Sequence, residues 1–249
     1  RRQPRPAAHV GPGRFRAPVE QPLPPRLATC PYIRRGAAMV TTLTLYRPVG
    51  LKEAELVLAS GCSGFPPRLP DQPIFYPVMN AAYARQIARD WNAPDAGSGH
   101  VGFVTTFDVD AAYLARFPVR TVGARGHTEL WVPAEELADF NAHLVGPVRF
   151  TEAWYGPGYR GPDSPLGPLE SQLEALGERA GTSEDRLREL LHACPAAVLF
   201  NAGWWESTPA RAQGLEASVR AGLLTRVRAA WAAGFPAWPL PGTGNTAVE

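Results

Sequence analysis

Two short stretches carry side chains that could do chemistry. His127-Thr128-Glu129 runs directly into the apolar Leu130-Trp131-Val132. Alternation along an extended chain puts His127 and Glu129 on one face. A carboxylate on the face of a buried strand costs free energy unless it is paired or opens on a cleft. Glu129 is therefore a charge-stabilising group in a site, a solvent-facing residue at a strand edge, or the partner of a structural Arg. The second stretch is Tyr46-Arg47, at the end of the first strand-like run. An Arg forks onto phosphate or ribose oxygens with two parallel hydrogen bonds, which Lys does less well. Arg68, in the Pro-stiffened Phe65-Pro-Pro-Arg-Leu-Pro70, is a further cation, and Tyr76 and Tyr83 offer aromatic faces. The bland readings are a surface Arg and two core tyrosines.

Other chemistries lack their patterns. Gly97-Ser-Gly-His-Val-Gly102 spells a dinucleotide fingerprint, but it precedes a strand, whereas a true fingerprint follows a strand and opens a helix. It reads as a loop. His9, His100, His127, His143 and His192 have no metal-ligand spacing, so no metal is expected. Neither a phosphate-cradling Gly-Lys loop nor a Gly-x-Ser-x-Gly elbow is present.

The elements that must position these residues alternate between strand and short-helix patterns. Val40 to Tyr46 alternates and is rich in β-formers, and Leu51 to Ala59 reads as a helix stopped by Ser60-Gly61. Ile74 to Tyr76 reads as a short strand. Asn80 caps a helix to about Trp91, with Tyr83, Ile87 and Trp91 on one stripe. Strands follow at 101–107, 119–122, 128–132 and 148–154, with a helical turn at 108–117, a turn at 123–126 and a helix opened by Pro133 and two acids. Adjacent strands mixed with short helices predict an α+β domain over 39–156 with a small mixed or antiparallel sheet, not a doubly wound parallel one. Residues 157–167 read as a Gly/Pro linker. Residues 168–249 read as a helical appendage with helices at 168–180, 183–193 and 209–233, and Trp204-Trp205 as exposed aromatics.

Composition bounds the rest. The chain has 249 residues, 45% hydrophobic, enough for one sizeable core. No apolar run reaches the about 18–20 residues needed to cross a bilayer, so no membrane is expected. Three Cys without a Cys-x-x-Cys argue against a disulfide scaffold and for a cytoplasmic protein. Residues 1–38 hold eight Arg, one Glu and eight Pro, while the remainder is mildly acidic. That composition predicts an unpacked basic tail, and the natural protein is expected to start at Met39, with 1–38 upstream of that start. Arg usage of this kind does not by itself indicate a nucleic-acid partner.

Residues 43–155 resemble a family of short, poorly characterised bacterial proteins labelled with ADP-ribosylation or crystallin terms. The resemblance rests on Leu-Tyr-Arg-Pro-Val-Gly-Leu-Lys-Glu at 45–53, Phe-Pro-Pro-Arg-Leu-Pro at 65–70, Phe-Tyr-Pro-Val at 75–78, Tyr-Ala-Arg-Gln-Ile-Ala-Arg-Asp-Trp-Asn at 83–92 and Glu-Leu-Trp-Val-Pro-Ala-Glu-Glu-Leu at 129–137. The order of chemical groups is similar to that of ADP-ribosyltransferase-like domains, although the Ser-Thr-Ser motif of that group is absent. The resemblance implies an ADP-ribosyltransferase-like fold and NAD as substrate. Arg47 and Arg68 would bind the cofactor's phosphates, Tyr76 and Tyr83 would stack, and Glu129 with His127 would act at the nicotinamide–ribose bond. That arrangement requires Arg47 and Glu129 to share a cleft. The alternatives are a non-catalytic module binding a nucleotide or a protein, and a hydrolase of ADP-ribose adducts. A metal-free hydrolase would need a second carboxylate near Glu129, for which Glu135 and Glu136 are the close candidates in sequence.

Overall fold

The structure is a computed structural model that describes residues 41–122 and 126–244. The expected tail at 1–38, Met39 and most of the turn at 123–126 lie outside the described residues. The fold is mixed α+β.

The frame is an antiparallel sheet. Strand β1 (Thr42–Val49) pairs with β3 (Val101–Asp110), and β3 with β7 (Arg149–Tyr155). The first residues of β1 alternate between Thr and Leu, and β3, the central strand, is buried at eight of its ten residues. Beside β1 lies a second ladder. Strand β2 (Ile74–Phe75) pairs antiparallel with β6 (Val132–Pro133), and β4 (Val119–Thr121) with β5 (Thr128–Leu130).

Val78 joins the two ladders. Its N–H and C=O both bond to Tyr46 at 2.7 and 2.9 Å, and it bridges to Glu129 on its other side. The pairing stops there for a local reason. In this register the next bonded pair would set Pro48 opposite Tyr76, and Pro48 has no N–H to donate. The Arg47 guanidinium takes up the Tyr76 carbonyl instead, at 3.4 Å.

The register fixes which side chains share a face. One row of six residues crosses five strands and the Val78 bridge: Arg120, Glu129, Val78, Tyr46, Thr106 and Arg149. Arg47, next in the chain to Tyr46, must point to the other face.

That other face carries the main core. Leu45, Phe75, Phe103, Phe107, Leu130 and Val132 are buried there with Ala54, Val57 and Leu58 of α1 (Leu51–Ala59). The row's own face holds a smaller cluster of Val78, Val104, Tyr83, Ala84 and Ala88, supplied by α2 (Ala81–Ile87) and the π-turn that follows it. Gly102 makes the close approach possible, since a Cβ there would sit 2.2 Å from the Ala88 carbonyl oxygen. The glycine-rich stretch at 97–102 thus serves packing. No helix follows it.

Between these elements come α3 (Ala111–Leu114) and α4 (Leu137–Ala142). The segment expected as an appendage forms α5 (Gln172–Ala180), α6 (Glu184–Ala193), α7 (Pro195–Ser207) and α8 (Ala217–Gly234). Its Leu stripes belong to the same apolar cluster as the sheet. Phe200 of α7 meets Phe103 and Phe150 at centroid distances of 5.0 and 5.3 Å. Buried amides tie the layers. Asn201 accepts from the Tyr159 hydroxyl at 2.6 Å and donates to Gln172 at 2.7 Å. The Tyr155 and Tyr159 hydroxyls both bond to the Phe200 carbonyl. The chain then returns as β8 (Gly242–Thr243), parallel to β7.

Two expectations are corrected here. A single helix over 209–233 is replaced by a short 3₁₀ turn (Ala210–Gln213) and α8. Trp205 is not an exposed aromatic but one of the largest fully buried side chains.

Candidate functional site

Glu129 is 9% exposed and sits in that six-residue row. Its Oε1 accepts from the Trp131 indole N–H at 2.8 Å. Burial raises its pKa and the Trp131 bond opposes the rise. No described cation pairs with it. The continued register sets Tyr76 opposite Trp131, and their rings meet edge to face at 5.6 Å and 85°. Both are half-buried. Two perpendicular aromatic rings therefore form a corner with a carboxyl beside it. Arg120, directly across the β4–β5 ladder from Glu129, lays its guanidinium 4.9 Å from the Trp131 ring centroid.

His127 and Tyr83 lie on the helix side of the same face. Their rings stack at 4.1 Å and 9°. Burial first, and then the nearby Glu129 charge, push the Tyr83 phenol up to about 12. Asn80 locks this arrangement. Its Oδ1 accepts from the Tyr83 N–H at 2.8 Å as the cap of α2, and its Nδ2 donates to the Gly126 carbonyl at 2.5 Å. A shallow cavity of about 250 Å³ is lined by these residues with Ala82 and Gln86.

Arg47 belongs elsewhere. It is 8% exposed, lies 4.6 Å from the Phe75 ring centroid and forks onto Glu53 with bonds of 2.6 and 3.0 Å. Arg68 is near this pair. Burial, followed by the Arg47 charge, lowers its pKa, while Glu53, Tyr76 and Asp71 act the other way. Its buried Nε has no partner among the described residues.

The structure thus brings Glu129, His127, Tyr83 and the Tyr76 ring to one face. Arg47 is on the opposite face, with Arg68 close to it. The expected cleft shared by Arg47 and Glu129 is not formed, because the Val78 bridge aligns Glu129 with Tyr46, not with Arg47. The second carboxylate that a hydrolase would need is not supplied by Glu136, which pairs with Arg116 at 3.0 Å.

Three contributors were not read from the sequence. Trp131 stands two residues from Glu129, so alternation alone places it on that face, but it read as part of an apolar strand. Arg120 and Glu53 act through pairings across strands or turns that carry no local signal, as does the second bond of Asn80, to Gly126, whereas its capping of α2 was legible. Among the described residues no three His, Cys, Asp or Glu side chains gather where a metal could be held, and no helix is long and apolar enough to cross a membrane.

No protein-family model, curated protein or solved structure matches this chain.

Proposed function

We propose that the chain is an NAD-consuming enzyme working on the Glu129 face of the sheet, without the Arg47–Glu129 cleft that the ADP-ribosyltransferase-like arrangement requires. The observation that carries this reading is the buried Glu129 carboxyl at the Tyr76–Trp131 corner, with no described cation to neutralise it. Breaking the nicotinamide–ribose bond develops positive charge on the ribose, and a carboxylate held in a partly desolvated place stabilises that charge. The corner suits a flat heterocycle, which prefers offset or edge-to-face contact with aromatic rings. Trp131 holds the carboxyl in one orientation, and Asn80 fixes the turn and helix that flank it. The order of chemical groups along the chain, similar to that of ADP-ribosyltransferase-like domains, supports the same reading. Arg47 has a different role from the one its motif implies: it is committed to Glu53 and closes the gap beside Pro48.

A second reading is favoured by that same commitment. A nucleotide-binding module without catalysis needs the corner but not an Arg47–Glu129 cleft.

Calorimetry with NAD and ADP-ribose, run beside a nicotinamide-release assay, separates the two. The enzyme reading expects the intact chain to bind NAD and release nicotinamide. Glu129→Gln should bind within a few-fold of the parent and lose about 100-fold or more in rate. Binding without release by the unaltered chain selects the module. Absence of heat with both ligands, from folded protein, overturns the nucleotide reading.

A further inference from the structure

Arg120 stands where a cross-strand ion pair is expected. It is directly opposite Glu129 in the β4–β5 ladder, and opposite charges so placed attract. The pair is not made. The guanidinium lies over Trp131 instead, and no carboxylate among the described residues is within salt-bridge reach of it. Most other described arginines on helices and strands of this chain are matched: Arg85 with Glu152, Arg116 with Glu136, Arg149 with Asp108, Arg226 with Glu184.

That position has a chemical consequence. A guanidinium carries five N–H donors and no acceptor. Held over the indole ring and without a carboxylate partner, it keeps donors free for a second, planar or tetrahedral anion. The side chain is exposed, so a ligand reaches it without rearrangement of the core. The anion would lie beside the aromatic corner and on the same face as Glu129.

We propose that Arg120 takes the phosphate of a nucleoside phosphate whose base rests in the Tyr76–Trp131 corner. This inference rests on the nucleotide reading above, and it moves the phosphate contact from Arg47 to Arg120. It also explains why Trp131 rather than Arg120 holds Glu129: an Arg120–Glu129 pair would spend both charges on each other.

The test compares two ligands differing only in the phosphate, nicotinamide riboside and nicotinamide mononucleotide, with inorganic phosphate as a third probe. Calorimetry is run on the full chain and on Arg120→Gln and Arg120→Lys, whose folding is checked by thermal unfolding. The unaltered chain should bind the mononucleotide about 10-fold or more tightly than the riboside, with a preference that weakens as salt rises. Arg120→Gln should erase that preference. Arg120→Lys should restore only part of it, since an ammonium neither forks nor stacks as a guanidinium does. A preference unaltered by Arg120→Gln overturns this inference and leaves the nucleotide reading standing. Inorganic phosphate binding as tightly as the mononucleotide shows a general anion site and overturns the role of the corner. Failure of the unaltered chain to bind either nicotinamide ligand removes both the inference and the reading beneath it.

Discussion

Arg47 and Glu129 face opposite sides of one sheet, although only Val78 separates their strands. Tyr46, Val78 and Glu129 stand in one row, and Arg47 is one residue out of step with it. The near-buried guanidinium is instead neutralised by Glu53 and covered by Phe75.

That pairing sets the first stability prediction. Glu53→Ala leaves an almost fully buried guanidinium without its carboxylate, at a cost of about 3 kcal/mol. Arg47→Met costs less, because Met still covers Phe75 and the orphaned Glu53 is the more exposed partner. The double variant falls short of the sum of the two. Urea unfolding of the three variants measures this, and strict additivity would show that the two side chains are not coupled.

Glu129 makes stability depend on pH with a definite sign. Burial raises its pKa in the folded chain, so the folded state holds the proton more tightly than the unfolded state. Stability from this group is then present in acid and is lost as pH rises from the ordinary Glu range through the raised folded value. Glu129→Gln cannot ionise and keeps an oxygen for the Trp131 N–H. Melting temperatures taken from about pH 4 to pH 7 should therefore move in favour of the variant as pH rises. A constant difference across that range would sink the argument.

Gly102 has no room for a side chain. An added Cβ meets the Ala88 carbonyl oxygen at 2.2 Å and its Cα at 2.5 Å, and backbone yields less than a flexible side-chain tip. Gly102→Ala should cost about 1–3 kcal/mol and loosen α2, and with it the Tyr83–His127 stack. Chemical denaturation gives the cost. Protection of α2 amides from hydrogen exchange gives the loosening, and unchanged protection would contradict the link.

Several of these features were legible in the residue order, and others could not be. The alternating runs at 42–46, 101–107 and 148–154 are strands because a half-buried pleated surface needs that alternation. Asn80 announced the start of α2 by its type and place. For α7 the residue order offered only Pro195 at its first position. Ala197, Val198, Leu199, Phe200, Asn201, Ala202, Gly203 and Trp205 are all buried, so the helix shows no polar stripe and no period of 3.6. Strand β8 is two residues long and is a strand only because β7 is beside it. The site fails to read for a related reason. Alternation tells which neighbours in one strand share a face, as with Glu129 and Trp131. Which face of one strand matches which face of another depends on register, and that was set here by a single bridge at Val78.

Pro48 has a mechanical consequence. Between β1 and the segment that follows β2 the described backbone makes two hydrogen bonds, both between Tyr46 and Val78. The strands bearing Glu129, Trp131 and Arg120 are thus one plate and β1–β3–β7–β8 another, riveted at one point and sealed by a guanidinium on the Tyr76 carbonyl. The backbone hydrogen-bonded path from the aromatic corner to the rest of the sheet therefore runs through one residue pair, and what holds the two plates at their angle is the apolar core shared by Phe75, Leu130 and Val132 with Leu45 and Phe107.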